Sequence, residues 1–93
     1  MYATVRTYST SPEMADALVS NEADVKSLIS GIDGFHAYYL VRTADGAVSI
    51  SVYDNETGAD ESTTAAAQWI RENLPDIGGS APQVSAGEVV ITA

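Results

Sequence analysis

The sequence has 93 residues, enough for a single domain over residues 1–93, and its hydrophobic share of 45% is sufficient for one modest core. Thirteen acidic residues against four basic ones give a net charge of −9, which argues against binding to nucleic acid or to an anionic membrane surface. The lack of cysteine and the single histidine exclude a disulfide scaffold, a thiolate zinc site, a cysteine nucleophile and a histidine metal cluster, so we expect no metal site.

The first predicted elements are a strand and a long helix. Tyr2–Tyr8 alternates in character and is rich in Thr, Val and Tyr, which is typical of a strand. Ser11, Pro12 and Glu13 then provide an N-cap, a first-turn proline and a first-turn acid. Apolar residues recur at helical spacing from there to Gly31, whose lack of a side chain suits a helix end. We therefore predict one amphipathic helix of about five turns.

A β-hairpin follows this helix. Residues 35–43 are aromatic and β-branched, and Ala47–Tyr53 alternates cleanly between apolar and polar residues. Asp45 and Gly46 between them are a strong signal for a two-residue hairpin turn.

The last part of the chain predicts a second helix and a fourth strand. Thr57 is the predicted N-cap, and Pro75 is compatible with a helix end after Leu74. Residues 76–83 contain glycine, serine and proline and predict a connector, whereas residues 88–92 are apolar enough for a strand. The order is βαββαβ, which predicts an α+β, ferredoxin-like fold: a four-stranded antiparallel sheet with two helices on one face.

Several of these positions resemble a known family. They are the Gly34-Phe35 pair, the Asp45-Gly46 hairpin, the Val52-Tyr53-Asp54 strand exit and the helix from Ala65 to Trp69-Ile70. Together they resemble the dimeric α/β-barrel superfamily, and within it the antibiotic-biosynthesis-monooxygenase-like proteins. The resemblance implies a homodimer in which two sheets face each other and enclose a barrel-like cavity. Some members of that superfamily oxidise polycyclic aromatics without metal or flavin, some degrade haem, and others have no assigned activity.

The haem-degrading chemistry is not carried over to this chain. Those members rely on an asparagine near the first strand, a tryptophan and a histidine on a helix. Here the first strand has no asparagine, Trp69 falls on the apolar face of the second predicted helix, and His36 falls on a strand. No residue of the aromatic-oxidising members is transferred either, and we expect no cofactor.

The hairpin sorts the side chains into two faces of the sheet. With Asp45 and Gly46 as turn residues, Ala44 pairs with Ala47, and Tyr39, Val41 and Thr43 lie opposite Val52, Ile50 and Val48. That face, which continues to Ala37 and Phe35, is the more apolar one, and we expect it to receive the helices. The other face gathers two arginines, the histidine and most tyrosines, and we expect it to line a cavity inside a dimer. Its ligand-binding candidates are Arg6, Tyr8, His36, Tyr38, Arg42 and Tyr53.

Each candidate has a functional and a structural interpretation. His36 is either a proton acceptor or a hydrogen-bonded residue at a strand start. Arg6 and Arg42 are suited to a carboxylate or phenolate, or they pair with some of the 13 acids. The tyrosines either contact an aromatic ligand or pack in an interface. Trp69 is assigned to the core.

Two classes of function follow from these residues. The first is binding of a small aromatic or phenolic molecule in the cavity between two sheets, either without catalysis or as a cofactor-independent, monooxygenase-like enzyme. The alternative is a non-catalytic dimerisation or protein-interaction module. A cavity of at least ~300 Å³ lined by His36 and an arginine supports the first, and a filled interface supports the second. The sequence shows neither a signal peptide nor an apolar run of the ~18 residues that cross a bilayer, so we expect a cytoplasmic protein.

Overall fold

The structure is a computed structural model that describes residues 1–9, 12–77 and 81–93. Its strands are β1 (Tyr2–Tyr8), β2 (Phe35–Arg42), β3 (Ala47–Tyr53) and β4 (Gln83–Glu88), and its helices are α1 (Met14–Ser20), α2 (Glu22–Ser30) and α3 (Glu56–Asn73). The strands form one sheet in the order β2-β3-β1-β4, with every neighbouring pair antiparallel. This confirms the predicted ferredoxin-like α+β fold. None of the described helices is long and apolar enough to cross a membrane.

The hairpin between β2 and β3 turns one residue earlier than predicted. The Thr43 amide donates to the Gly46 carbonyl at 3.1 Å and the Gly46 amide donates to the Thr43 carbonyl at 3.4 Å, so the turn residues are Ala44 and Asp45. A second acceptor, the Thr43 hydroxyl, lies 3.1 Å from the Gly46 amide and stabilises this turn. Ala47 therefore pairs with Arg42 rather than with Ala44. Because the slip amounts to two residues, every side chain beyond it keeps its face.

A β-bulge at His36 does change faces at the start of β2. Phe35 pairs with Tyr53 and Ala37 pairs with Val52, which leaves His36 as the extra residue. Phe35 therefore shares the face of Tyr53, and the two rings meet edge to face with centroids 5.9 Å apart. The prediction that Phe35 lies on the same face as Ala37 was wrong.

The single long helix predicted in the first half of the chain is two shorter helices. They are separated at Asn21, whose backbone leaves the helical region and whose side chain donates to the Ala17 carbonyl at 2.8 Å. Asparagine side chains compete with the backbone in this way, which favours a break. The predicted N-cap, Ser11, lies outside the described residues, and α1 is preceded by Glu13, which makes no side-chain capping bond.

The cap of α3 and the position of β4 also differ from prediction. Asn55, not Thr57, caps α3 by accepting from the Gly58 amide at 3.3 Å. Strand β4 ends at Glu88, where residues 88–92 were predicted to form the strand. Glu88 pairs with Tyr2, and the Val89 amide still donates to the Met1 carbonyl at 2.9 Å. Strand β4 thus pairs with β1 through residues 83–88, and the apolar residues 89–92 lie beyond the strand.

The helices cover the opposite face of the sheet from the one predicted. Arg6, Tyr8 and Tyr53 are 1%, 6% and 0% exposed because they lie beneath the helices, as do the hydroxyl residues of β3. The face that carries Val48, Ile50 and Val52 is open and only half-buried, and at its edge Tyr39 and Val41 are 60% and 46% exposed. The prediction that the more apolar face receives the helices was therefore wrong.

The core lies between the helices and the buried face of the sheet. It combines aliphatic side chains from all three helices with aromatic side chains from the strands. Its buried hydrophobic members include Met14, Leu18, Val25, Ile29, Ala59 and Ile70 from the helices and Tyr8 and Tyr53 from the sheet. The same arrangement buries Arg6, a charged side chain that does not contribute to an apolar core. Arg6 and the residues around it are therefore the candidate site.

Candidate functional site

A cradle of four hydroxyl groups holds the Arg6 guanidinium beneath α3. Arg6 Nε donates to Ser49 Oγ at 3.0 Å, and Nη2 donates to Ser51 Oγ at 2.6 Å, both on β3. Nη1 donates to Ser62 Oγ at 3.2 Å and to Thr63 Oγ1 at 3.1 Å, both on α3. The fork geometry of a guanidinium is what allows one side chain to bridge a strand and a helix in this way. We call Arg6 and these four residues the hydroxyl cradle.

The charge of Arg6 has no carboxylate partner among the described residues. Two of the three other cations do have one, since Lys26 pairs with Glu22 at 3.0 Å and Arg42 pairs with Asp16. Hydroxyls satisfy the N–H groups of Arg6 but leave its positive charge uncompensated. A buried, unpaired charge is costly, by several kcal/mol even after relaxation. The chain has 13 acidic residues, all of them among the described residues, and none of them forms an ion pair with Arg6.

Two phenols lie beside the guanidinium. Burial raises the pKa of the Tyr8 hydroxyl, and the charge and hydrogen bond of Arg6 lower it in part. Burial likewise raises the pKa of Tyr38, again offset in part by the charge of Arg6. Both hydroxyls therefore remain protonated at neutral pH and can donate to an oxygen that is placed near Arg6.

Tyr53 is on the same face but has a structural role. Its hydroxyl donates to the Ile29 carbonyl at 2.7 Å, which ties β3 to α2. Burial raises the pKa of this hydroxyl as well. Since the side chain is fully buried in the core and lines neither of the two cavities described below, it is not available to a ligand.

A small chamber lies between the helices and the sheet at this point. Arg6, Tyr8, Tyr38, Ser49 and Trp69 contribute to its walls, together with aliphatic core residues. Its volume is about 20 Å³, which is room for roughly one water molecule. We call it the central chamber. An aromatic ring does not fit in it without movement of the helices.

A larger cavity, which we call the α3 groove, opens beside the central chamber. It has a volume of about 360 Å³ and lies between α3 and the β1–β4 edge of the sheet. Arg6 and Tyr8 line both cavities, so the two cavities adjoin at these residues. The groove is also lined by Thr63, Ile70, Arg71 and Val84. It exceeds the expected ~300 Å³ and contains an arginine, but it lies within one protomer and not between two sheets.

The structure brings together three of the six predicted site residues. Arg6, Tyr8 and Tyr38 meet at the central chamber. His36 is on the bulge, where its Nε2 contacts the exposed carboxylate of Asp54, and it lines neither cavity. Arg42 is exposed and bridges β2 to α1 through Asp16, and Tyr53 belongs to the core. Among the described residues no three histidine or carboxylate side chains gather as they would to hold a metal ion.

Trp69 was assigned to the core, and the structure gives it two roles. It is partly buried and packs against the core, as expected. It also lines the central chamber, opposite the sheet. As the only tryptophan of the chain, it is a built-in fluorescence reporter of this site.

The four hydroxyl residues of the cradle and Arg71 were not among the site residues predicted from the sequence. Ser49 and Ser51 alternate with valine and isoleucine along β3, on the face to which Arg6 was assigned, and that pattern was a usable signal. Ser62 and Thr63 are adjacent on a helix and gave no signal of their own. Arg71 in the last turn of α3 resembled an ordinary charge at a helix end.

Comparisons with known proteins identify the fold. No protein-family model matches the sequence, and no curated protein matches it. A candidate antibiotic biosynthesis monooxygenase from Bordetella bronchiseptica superposes with a TM-score of 0.70 at 18% identity, over 97% of each chain. A Nitrosomonas europaea protein of unknown function gives a TM-score of 0.70 at 18% identity, over 99% of this chain and 90% of its own.

A third solved structure contains a ligand. It is the monooxygenase from the ActVA-Orf6 gene of Streptomyces coelicolor in complex with nanaomycin D, with a TM-score of 0.62 at 19% identity, over 98% of this chain and 91% of its own. At such identities the likeness concerns the fold. The structural neighbours of this chain are antibiotic biosynthesis monooxygenase proteins, many of them uncharacterised, and the chain has their ferredoxin-like α+β fold.

Proposed function

We propose that this protein binds a small aromatic phenol in the α3 groove, with the phenolic oxygen at Arg6. The observation that carries the proposal is the guanidinium itself, which is 1% exposed, is held by neutral hydroxyls and borders a cavity of about 360 Å³. A bound phenolate supplies the negative charge that no described carboxylate places beside Arg6. Apolar side chains of the groove, such as Ile70 and Val84, provide the surface against which a ring packs.

Arg6 favours the ionised form of the bound phenol. A cation within about 4–6 Å lowers the pKa of an acidic group, and the effect is strong in a site with little water. Tyr8 adds a neutral hydrogen-bond donor, because burial keeps its hydroxyl protonated. The result is an electron-rich ring held in a largely apolar cavity.

We further propose that molecular oxygen is the second substrate, as the monooxygenases among the structural neighbours suggest. The overall reaction is phenol plus O₂ to quinone plus water. One oxygen atom of O₂ enters the ring, the other leaves as water, and the four electrons that O₂ takes up come from the phenol. The stoichiometry therefore needs no external reductant. The role of Arg6 is to stabilise the phenolate, which is the form of the substrate that gives up electrons most readily.

The binding step is tested by calorimetric titration with a naphthol and with naphthalene, which lacks the hydroxyl. We expect the naphthol to bind and naphthalene to bind at least tenfold more weakly, the equivalent of about 1.4 kcal/mol. Arg6→Met is expected to remove the preference for naphthol, whereas Arg42→Met, which removes an arginine outside the groove, is expected to retain it. Nanaomycin D serves as a second probe, and oxygen uptake with the naphthol reports turnover. Equal binding of the naphthol by the wild type and by Arg6→Met contradicts the proposal.

We also propose that the protein is a homodimer that pairs through the open face of its sheet. That face is rich in apolar residues, including Val48, Ile50 and Val52, and none of the described helices covers it. Exposed contiguous apolar surface of this kind marks an interaction site. The partner surface is a second copy, since two copies of one self-complementary face satisfy each other. The dimer then buries the apolar face and leaves the hydroxyl cradle beneath the helices of each protomer.

The dimer is tested by light scattering on the eluting protein. We expect the wild type to be dimeric at micromolar concentration and Ile50→Asp to be monomeric, because a carboxylate at the centre of the open face opposes its burial. Val19→Asp is the control, since Val19 is an exposed apolar residue of α1, on the helix-covered side of the sheet and not on the open face. A monomeric wild type contradicts this assignment. If the dimer forms and no phenol binds, the second candidate function, a non-catalytic dimerising module, is favoured.

A further inference from the structure

The charges that line the α3 groove are unusual for this chain. The groove contains Arg6 and Arg71, and no acidic residue of the described chain lines it. The cavity on the outer side of α3 is lined by Asp60 and Glu61 and has no cation. A chain of net charge −9 thus places two of its four positive charges around one cavity.

The pairing of the cations follows the same division. Lys26 and Arg42 do not line the groove, and each pairs with a carboxylate. Arg6 and Arg71 line it, and within the described residues neither pairs with one. The helix dipole favours a cation in the last turn of α3, which explains the presence of Arg71 there. It does not explain why acidic residues are kept from the groove around it.

The two arginines are at opposite ends of the groove. Thr63 contacts Arg6, and Ala67, Ile70 and Arg71 follow it along the same side of α3 as lining residues. Eight residues separate Thr63 from Arg71, which corresponds to about 12 Å along the helix axis. Arg6 is buried at the inner end and Arg71 is exposed at the outer end. A ligand that contacts both guanidinium groups therefore needs polar groups at both of its ends.

We propose that Arg71 binds a carboxylate on the ligand, and that the natural substrates are aromatic acids that also carry a phenolic hydroxyl. The inference rests on the proposed function, because it places the phenolic oxygen at Arg6. The planar guanidinium of Arg71 matches a carboxylate with two parallel hydrogen bonds. The ring between the two polar groups packs along Ala67 and Ile70, while the acid-free lining avoids repulsion of the anion.

The proposal is tested with three naphthalene probes on the intact protein. The first carries only a hydroxyl, the second only a carboxylate, and the third carries both at opposite ends. Calorimetric titration is expected to show that the third probe binds about tenfold more tightly than the first, which is the gain from one charge-assisted contact. Its affinity is also expected to fall as salt is raised, since Arg71 is exposed to solvent.

Substitution of Arg71 separates this inference from the proposed function. Arg71→Gln is expected to remove the tenfold advantage of the third probe over the naphthol, whereas Arg71→Lys retains part of that advantage. Arg42→Gln, which removes a paired arginine outside the groove, is the matched control and is expected to change neither affinity. If the naphthol binds through Arg6 and the carboxylate adds nothing, the role of Arg71 is overturned and the proposed function stands. If the naphthol does not bind but the carboxylate probe binds through Arg71, the phenolic function fails and the anion site stands.

Discussion

Replacing Arg6 by methionine is expected to destabilise the fold less than replacing it by lysine, although lysine preserves the charge. Arg6 makes four hydrogen bonds to hydroxyls from three separate nitrogens. At about 1.5 kcal/mol each, the lower figure for a charged donor, methionine forgoes roughly 6 kcal/mol of hydrogen bonding, but it also removes the burial cost of an unpaired charge, which at several kcal/mol is only slightly smaller. We therefore expect a net loss of about 1 kcal/mol for Arg6→Met.

Arg6→Lys keeps the cost of burying an unpaired charge and loses hydrogen bonds to the hydroxyl cradle. An ammonium group presents its three donors at a single nitrogen, so it cannot bridge the β3 and α3 hydroxyls as a fork does. We expect Arg6→Lys to lose about 2–4 kcal/mol of the free energy of unfolding. Urea unfolding followed by circular dichroism measures both variants, with Arg42→Met as a control that should stay within about 0.5 kcal/mol of the wild type. If Arg6→Met proves clearly less stable than Arg6→Lys, the charge itself stabilises the fold and the inference of an uncompensated cation is wrong.

Three further predictions concern packing and pH. Gly58→Ala should destabilise the protein by about 1–3 kcal/mol despite the helical preference of alanine, because the new Cβ would lie 3.0 Å from the Asp33 carbonyl oxygen and from Tyr53; a rise in stability to urea would contradict this contact. The free energy of unfolding should fall above pH ~10, because the unfolded chain ionises its tyrosines there while burial keeps the pKa of Tyr8 in the folded protein higher. Tyr8→Phe should reduce the slope of the free energy of unfolding against pH by at most about 1.4 kcal/mol per pH unit. An unchanged slope would show that Tyr8 does not contribute. Trp69→Ala should cost about 2–3 kcal/mol, less than a fully buried tryptophan, and an unchanged melting temperature would contradict its packing against the core.

The grouping of the site residues could be predicted from sequence because it depends on the alternation of side chains along each strand and on matching the more apolar sides of β1 and of the hairpin. The hairpin register was wrong by two residues, and a slip of two leaves every side chain on its own face. Arg6, Tyr8 and Tyr38 were therefore grouped correctly before any contact was known. His36 was misplaced because a bulge changes parity, and the two-residue period of a strand contains no sign of a bulge.

The side of the sheet that receives the helices could not be predicted from apolarity. The rule that the more apolar face is covered by helices assumes that only one face of the sheet is buried. Here the helices cover a face with Ser49, Ser51 and Arg6, whose polar groups satisfy one another in the hydroxyl cradle. The open face can be the more apolar one if a second copy covers it. The composition of the strands then separates the more apolar face from the more polar one correctly, but it predicts the wrong face to be covered by the helices.

The position of β4 depended on a tertiary constraint. Residues 89–92 have the more strand-like composition, but a strand must pair with a neighbour, and β1 pairs with residues 83–88 in the register from Thr7↔Gln83 to Tyr2↔Glu88. Gln83–Glu88 therefore forms the strand despite its weak preference for that structure. The break at Asn21 has a local cause, the bond from its side chain to the Ala17 carbonyl, and was not predicted because helical periodicity continues through it.

The hydroxyl cradle has a consequence for how the protein folds. Arg6 is synthesised before its four partners, which are 43 to 57 residues further along the chain. Until α3 has emerged and docked, the guanidinium is solvated and no local contact favours its burial, so these contacts are formed only after long loops close. The hydroxyl cradle is therefore completed late in folding. A nascent chain that ends before Ser62 contains the arginine and most of the sheet but lacks the two α3 hydroxyls, so the proposed binding of a phenol at Arg6 would report completion of the fold.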